Sequence, residues 1–220
     1  MSMDLGKNIA ACTDAYDVLK KGDDWSNNIL SQKTVRGPSG QLGLPGEVDA
    51  VPDATELALC TRLAAAAAKV APDLEVGMGS ASDDKFEAFF VAKHDGWRCD
   101  ALAPAALRPL FGGALFADAT IDVSPLKERG RWWERVVAYY TEADEDEPVE
   151  LPNETREGLK RYRKILSWFH AQKDFVEVAF VSVDKRDPFS LRGGCVLPRL
   201  ILGRTRGESV AGLFGIVVDR

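Results

Sequence analysis

Three runs rich in β-branched and aromatic residues close the chain: Phe175 to Val183, Cys195 to Leu202 and Val210 to Val218. Runs of this length and make-up, bounded by polar turn residues, are expected to be strands. Arg206-Gly207-Glu208 separates the last two and predicts a hairpin. Pro198 has no N–H to give to a ladder, which places the first hairpin strand at an edge or at a bulge. Just upstream, Leu159, Tyr162, Leu166 and Phe169 recur at helical spacing behind Asn153, a residue able to cap. The outer face of that helix carries Arg156, Lys160, Arg161, Arg163 and Lys164. It reads as a solvated face, with a nucleic-acid or acidic-protein contact as the alternative.

The first half is less regular. Leu5, Ile9, Cys12, Tyr16 and Leu19 line one face of a helix over 4–20, with Asp4 as its cap. From Arg36 to Asp53 there are four glycines and three prolines, a density that reads as a loop or linker. Asp53 followed by Glu56 fits a capping pattern, with Pro52 just outside. Leu57, Cys60, Leu63, Ala67 and Val70 then form an apolar stripe over a helix 54–71. A polar loop, 77–84, leads into an aromatic-rich strand at 86–93 that Gly96 ends in a turn. Pro104, Pro109 and Gly112-Gly113 make 102–115 an irregular apolar segment, and 120–123 reads as a short strand. Five acids in the six residues Glu142–Glu147 read as a solvated loop, or else as a contact for a basic partner. Helices alternating with mostly hairpin-linked strands imply an α+β chain with a mainly antiparallel sheet covered by helices. The expected organisation is an N-terminal helix and Gly/Pro-rich linker, 1–52, followed by one domain, 53–220.

Charge and cysteine usage narrow the function classes. With 28 basic and 34 acidic residues the net charge is −6, against a general nucleic-acid binder and compatible with a basic protein partner. No signal-peptide pattern opens the chain, and no apolar stretch approaches the roughly 20 residues that span a bilayer. A cytoplasmic protein without a membrane partner is therefore expected. Cys12, Cys60, Cys99 and Cys195 have neither zinc-knuckle nor CxxC spacing. His94 and His170 share no metal-ligand spacing with each other or with a cysteine. Gly77-Met78-Gly79-Ser80 lacks both glycine-rich phosphate signatures and is followed by Asp83-Asp84, which would repel a phosphate. Arg131-Trp132-Trp133 combines cation and rings as a nucleic-acid platform does, but reads more simply as buried tryptophans. These residues call for no cofactor, no metal and no catalytic centre.

Two stretches carry a family resemblance. The first runs from Leu202 to Val218, with a Gly-x-Thr at Gly203-Arg204-Thr205, a polar hairpin turn, the step Val210-Ala211-Gly212-Leu213, and a terminal Val217-Val218 before Asp219. The second is Ser80-Ala81-Ser82-Asp83-Asp84-Lys85-Phe86-Glu87-Ala88-Phe89-Phe90, a serine- and acid-rich loop leading into Phe-Glu-x-Phe. Together they resemble nuclease A inhibitor-like proteins, over roughly 54–220, and leave 1–52 outside.

The resemblance implies an α-β-α sandwich like that of pathogenesis-related-1 proteins. It also implies a non-enzymatic protein that blocks a sugar-non-specific, metal-dependent DNA/RNA endonuclease. Its partner-binding residues would be Ala81, Asp83 and Asp84 in the loop and Asp219 and Arg220 at the C-terminus. Where the family's inhibitor has a loop glutamate that pairs with nuclease arginines, this chain has Ala81, with Asp83 and Asp84 beside it. Where the family's inhibitor ends in a threonine that reaches the nuclease metal, this chain ends in Arg220, whose guanidinium cannot ligate a cation. Two other readings stand beside inhibition. One is an interaction module of the same fold with a different protein partner. The other is a small-molecule-binding protein using the surroundings of Gly193-Gly194-Cys195.

Overall fold

Strand β7, Val210–Asp219, lies second from one edge of a five-stranded antiparallel sheet of order β3-β7-β6-β5-β4. The computed structural model describes residues 29–31, 33–70, 72, 74, 85–127, 153–185 and 195–219, apart from the side chains of 153–156, 185, 195–196 and 218–219. In chain order the elements are β1 (Val35–Arg36), β2 (Leu42–Gly43), α1 (Ala54–Val70), β3 (Glu87–Val91), α2 (Pro104–Leu107), a 3-10 stretch (Arg108–Ala114), β4 (Ala119–Pro125), α3 (Asn153–Ala171), β5 (Phe175–Lys185), β6 (Cys195–Thr205) and β7. Both long helices, the three closing strands and their hairpin stand where the apolar spacing puts them. The result is a mixed helix-and-sheet chain whose main sheet is wholly antiparallel.

Register decides which side chains share a face. Ile201 pairs with Leu213, and Leu202 with Gly212, so alternate residues of neighbouring strands point to the same side. Every residue of β7 from Val210 to Val217 is buried, because both faces of the sheet are covered there. Helix α1 packs on β3 and β7, and α3 on β5 and against α1. Phe169 of α3 stacks on Phe175 with ring centroids 5.5 Å apart and planes 12° from parallel, a pair worth about 1 kcal/mol beyond its buried area. Gly203 makes room for it: a Cβ there would lie 2.4 Å from the Phe175 ring. Over the opposite face runs the segment 97–116. Leu102 N–H donates to the Glu177 carboxylate, which also takes the Arg204 side chain of that face. Leu107, Leu110 and Phe111 of this irregular segment are fully buried.

Pro198 corrects the edge assignment. Strand β6 is the middle strand of the five, flanked by β5 and β7. The proline is accommodated because the β5 ladder ends one step before it, at Ser182↔Arg199. The carbonyl of Val183, opposite Pro198, instead accepts the Arg199 guanidinium at 3.1 Å. A side chain thus supplies the donor that the imide cannot.

The Gly/Pro-rich stretch is a loop, one of the two readings its glycines and prolines allow, and it is packed against the sheet. Its Leu42 and Val48 are buried, as are Ile29 and Leu30 just before it, and β1 pairs with β2 within it. It also covers the outer edge of β3. The Ser39 carbonyl takes the Ala92 N–H at 2.8 Å, and Arg36 Nη2 donates to the Phe90 carbonyl at 3.0 Å. The Arg36 guanidinium lies 4.9 Å from the centroid of the Phe90 ring. Gly40, at φ 89°, is required there because a Cβ would fall 2.1 Å from the Phe90 carbonyl oxygen. An edge strand is blunted by a loop in this way. The helix expected over 4–20 lies outside the described residues.

Candidate functional site

The strands that follow and precede the two stretches expected to meet a partner, β3 and β7, are neighbours in the sheet. Glu87, the first residue of β3, pairs with Phe214, and β7 continues from there to Asp219. The chain therefore enters β3 from the 80–84 direction at the end of the sheet where β7 finishes, on the neighbouring strand. Asp219 is paired with Cys195, the first residue of β6, so that cysteine opens a strand of the core sheet. Ala81, Asp83, Asp84 and Arg220 lie outside the described residues, as do Gly193-Gly194, Arg131-Trp132-Trp133 and the acidic run 142–147.

Asp184 stands at this same end. Its Oδ1 takes the Arg199 Nη2 at 2.7 Å, and Arg199 Nη1 donates to the Val183 and Pro198 carbonyls. The Arg199 side chain is 7% exposed and that of Asp184 33%. The charged partner and the two carbonyls serve its terminal nitrogens, Nη1 and Nη2, as a buried cation requires. Sequence reading overlooked this pair. Its one signal is the Pro-Arg step inside an otherwise apolar strand, followed by the question of which donor serves the carbonyl opposite the proline.

At the other end of the sheet the hairpin is bonded to α1 and to the turn after β3. Thr205 Oγ1 donates to Glu56 Oε2 at 2.8 Å and accepts the Ser209 N–H at 3.1 Å. Ser209 Oγ accepts the Lys93 N–H at 2.9 Å. Asp53 caps α1 as its position implies, with Oδ1 taking the Glu56 N–H at 2.9 Å. Glu56 does not return to the cap as in a reciprocal capping box; it crosses to Thr205, and the Asp53 N–H goes to the Lys93 carbonyl. Glu208, in the turn, has φ 66°, the left-handed region that a residue with a Cβ enters at a cost. Its backbone carbonyl takes the Cys99 N–H at 2.7 Å and its carboxylate the Lys93 ammonium at 3.0 Å. The Lys93 contact holds the Glu208 carboxyl below its ordinary range.

The histidines and described cysteines are committed to structure. His94 Nδ1 accepts the Gly96 N–H at 3.1 Å while Nε2 lies 2.7 Å from Gln41 Oε1, which assigns the neutral ring with its proton on Nε2. Burial holds its pKa below the ordinary histidine value. His170 Nε2 donates to the Leu126 carbonyl at 2.5 Å, tying the end of α3 to the end of β4. Cys60 and Cys99 are buried thiols, each pushed up to about 12 by desolvation, far from the thiolate that reacts. Among the described residues, no group of three or more His, Cys, Asp or Glu side chains is placed to hold a metal. Nor is any described helix long and apolar enough to cross a membrane.

A cavity of about 620 Å³ opens beside the start of α1, lined by Val51, Pro52 and Asp53 on one side and by Lys93 to Arg98 on the other. Its location was not anticipated. His94 and Asp95-Gly96 read as the end of a strand and a turn, and Asp53 as a cap. Only the pairing of Pro52 with His94 brings the two segments together. Compared with known proteins, the chain matches no family model and no curated protein.

Proposed function

We propose that this chain is a non-enzymatic, cytoplasmic binding protein that occludes a metal-dependent, sugar-non-specific nuclease, with an α-β-α sandwich of the pathogenesis-related-1 type as its scaffold. One observation carries the reading. The register of β3 on β7 sets Glu87, three residues after the loop 80–84, opposite Phe214, five residues before Asp219 on the adjacent strand. Two segments more than a hundred residues apart can thereby act on one partner surface. Such a nuclease presents cationic side chains and a divalent ion to phosphate, and carboxylates from Asp83, Asp84 and Asp219 can take the places of phosphate oxygens. The negative net charge favours encounter with that cationic surface.

The test is an inhibition titration of a magnesium-dependent, sugar-non-specific nuclease with the full chain at low and high salt. The expected result is stoichiometric inhibition that weakens as salt screens the charges. The variant Asp83→Asn/Asp84→Asn should lose at least roughly tenfold in affinity, about 1.4 kcal/mol. Full nuclease activity at a large molar excess of this chain would overturn the proposal.

A further inference from the structure

The cavity beside α1 lies at the opposite end of the sheet from the proposed nuclease contact, and its chemistry points elsewhere. At about 620 Å³ it falls within the roughly 300–1,000 Å³ of small-ligand sites. Two of the residues lining it are aromatic, His94 and Trp97, with ring centroids 6.3 Å apart. Their polar atoms are engaged elsewhere: both His94 nitrogens as described, and Trp97 Nε1 on the Ala106 carbonyl at 3.2 Å. Both residues are buried, His94 9% and Trp97 6% exposed, so they form part of the cavity wall rather than open ring faces.

The charges around the cavity are unequally committed. Lys93 holds Glu208 at 3.0 Å and Arg98 holds Asp100 at 3.1 Å, so each lining cation already has an acid from outside the lining. Of the lining acids, Asp53 uses one oxygen on the α1 cap, and Asp95 makes no hydrogen bond or ion pair with a described residue. Glu208 holds Lys93 from its left-handed backbone conformation, local strain of the kind kept where a side chain has a job. Val51, at the lip, is 82% exposed. Two carboxylates and an exposed aliphatic side chain on a wall backed by His94 and Trp97 together describe a receptor for a cation with an apolar stem.

We propose that this cavity binds an alkylammonium or alkylguanidinium group, its head on Asp53 and Asp95 beside Trp97 and its stem on Val51 and Pro52. A free small amine and a Lys or Arg side chain of a protein both carry this chemistry.

The experiment is a ¹H–¹⁵N NMR titration of the full chain with butylguanidinium, with n-butanol and butanesulfonate as neutral and anionic controls. The expected result is saturable shifts of the Asp95, Gly96 and Trp97 amides with butylguanidinium alone. Asp53→Asn/Asp95→Asn should weaken that binding about tenfold or more. Asparagine keeps the helix cap, so the rest of the spectrum should be unchanged. An acetylated and amidated Gly-Arg-Gly peptide binding more tightly than butylguanidinium assigns the site to a protein side chain, and weaker binding assigns it to a free cation. No saturable shift, equal shifts with either control, or unchanged affinity in the double variant would each overturn the proposal. None of these outcomes bears on the nuclease titration.

Discussion

The two ends of the five-stranded sheet handle buried polarity in different ways. At the hairpin end, Glu56, Thr205 and Ser209 pass hydrogen bonds from α1 through the turn to the backbone of Lys93, and the Lys93–Glu208 pair sits partly in water. At the end where β7 finishes, one guanidinium, Arg199, serves two carbonyls and a carboxylate from the middle strand. The first arrangement distributes its bonds over a helix, a hairpin and a turn. The second concentrates them on one buried charge. A distributed network is weakened by degrees, whereas a buried charge that loses its carboxylate is strongly destabilising.

That contrast can be broken at either end, and the largest effect is expected at Arg199. Replacing Asp184 with Ala removes the carboxylate from a guanidinium that is almost wholly enclosed. It should cost about 3 kcal/mol, read as a lower midpoint in chemical denaturation. A change below the error of that measurement would show that the pair contributes nothing to the fold. At the hairpin end, Thr205→Val keeps the shape but leaves Glu56 and the Ser209 N–H without their shared hydroxyl. The expected loss is about 1–3 kcal/mol. Combined with Asp184→Ala it should add, because the two sites share no partner.

The smallest effect sharpens the comparison by pH. His94 is held neutral, with its pKa below the ordinary 6.5, so the unfolded chain takes up a proton more readily than the folded one. Its contribution to stability is complete above about pH 6.5 and declines as the pH falls from there toward the folded-state value. Denaturation midpoints between pH 7.5 and 5.5 should therefore fall in the native chain and fall less in His94→Gln. Parallel slopes in the two proteins would remove His94 from the account.

Three of the described residues in the stretches that resemble nuclease A inhibitor-like proteins have packing roles. Gly203 clears the Phe175 ring, Thr205 bonds Glu56, and a Cβ on Gly212 would come within 1.9 Å of the Ile201 carbonyl oxygen. Such motifs speak to how a sheet is built more than to what it binds. The 17-residue helix, the 19-residue helix and the closing strands were legible for a related reason. Their apolar periods run long enough to bury a face whatever lies opposite. The Gly/Pro-rich stretch was legible as a loop but its docking was not, because the partners that order it, Phe90 and Ala92, lie some fifty residues away.

What the sequence by itself determined is therefore local and periodic: two amphipathic helices, a terminal hairpin, an aspartate cap on α1, and an acid-rich charge balance. Tertiary structure decided which strand is central, that a proline can stand there, and that an irregular loop covers an edge. It also brought Pro52 beside His94 to form a cavity and set the start of β3 against the middle of β7, at Phe214. The physical reason is the range of the interactions. Periodicity and capping depend on neighbours within a few residues, whereas strand order, edge protection and charge placement depend on hydrogen bonds between segments that meet only after the chain has folded.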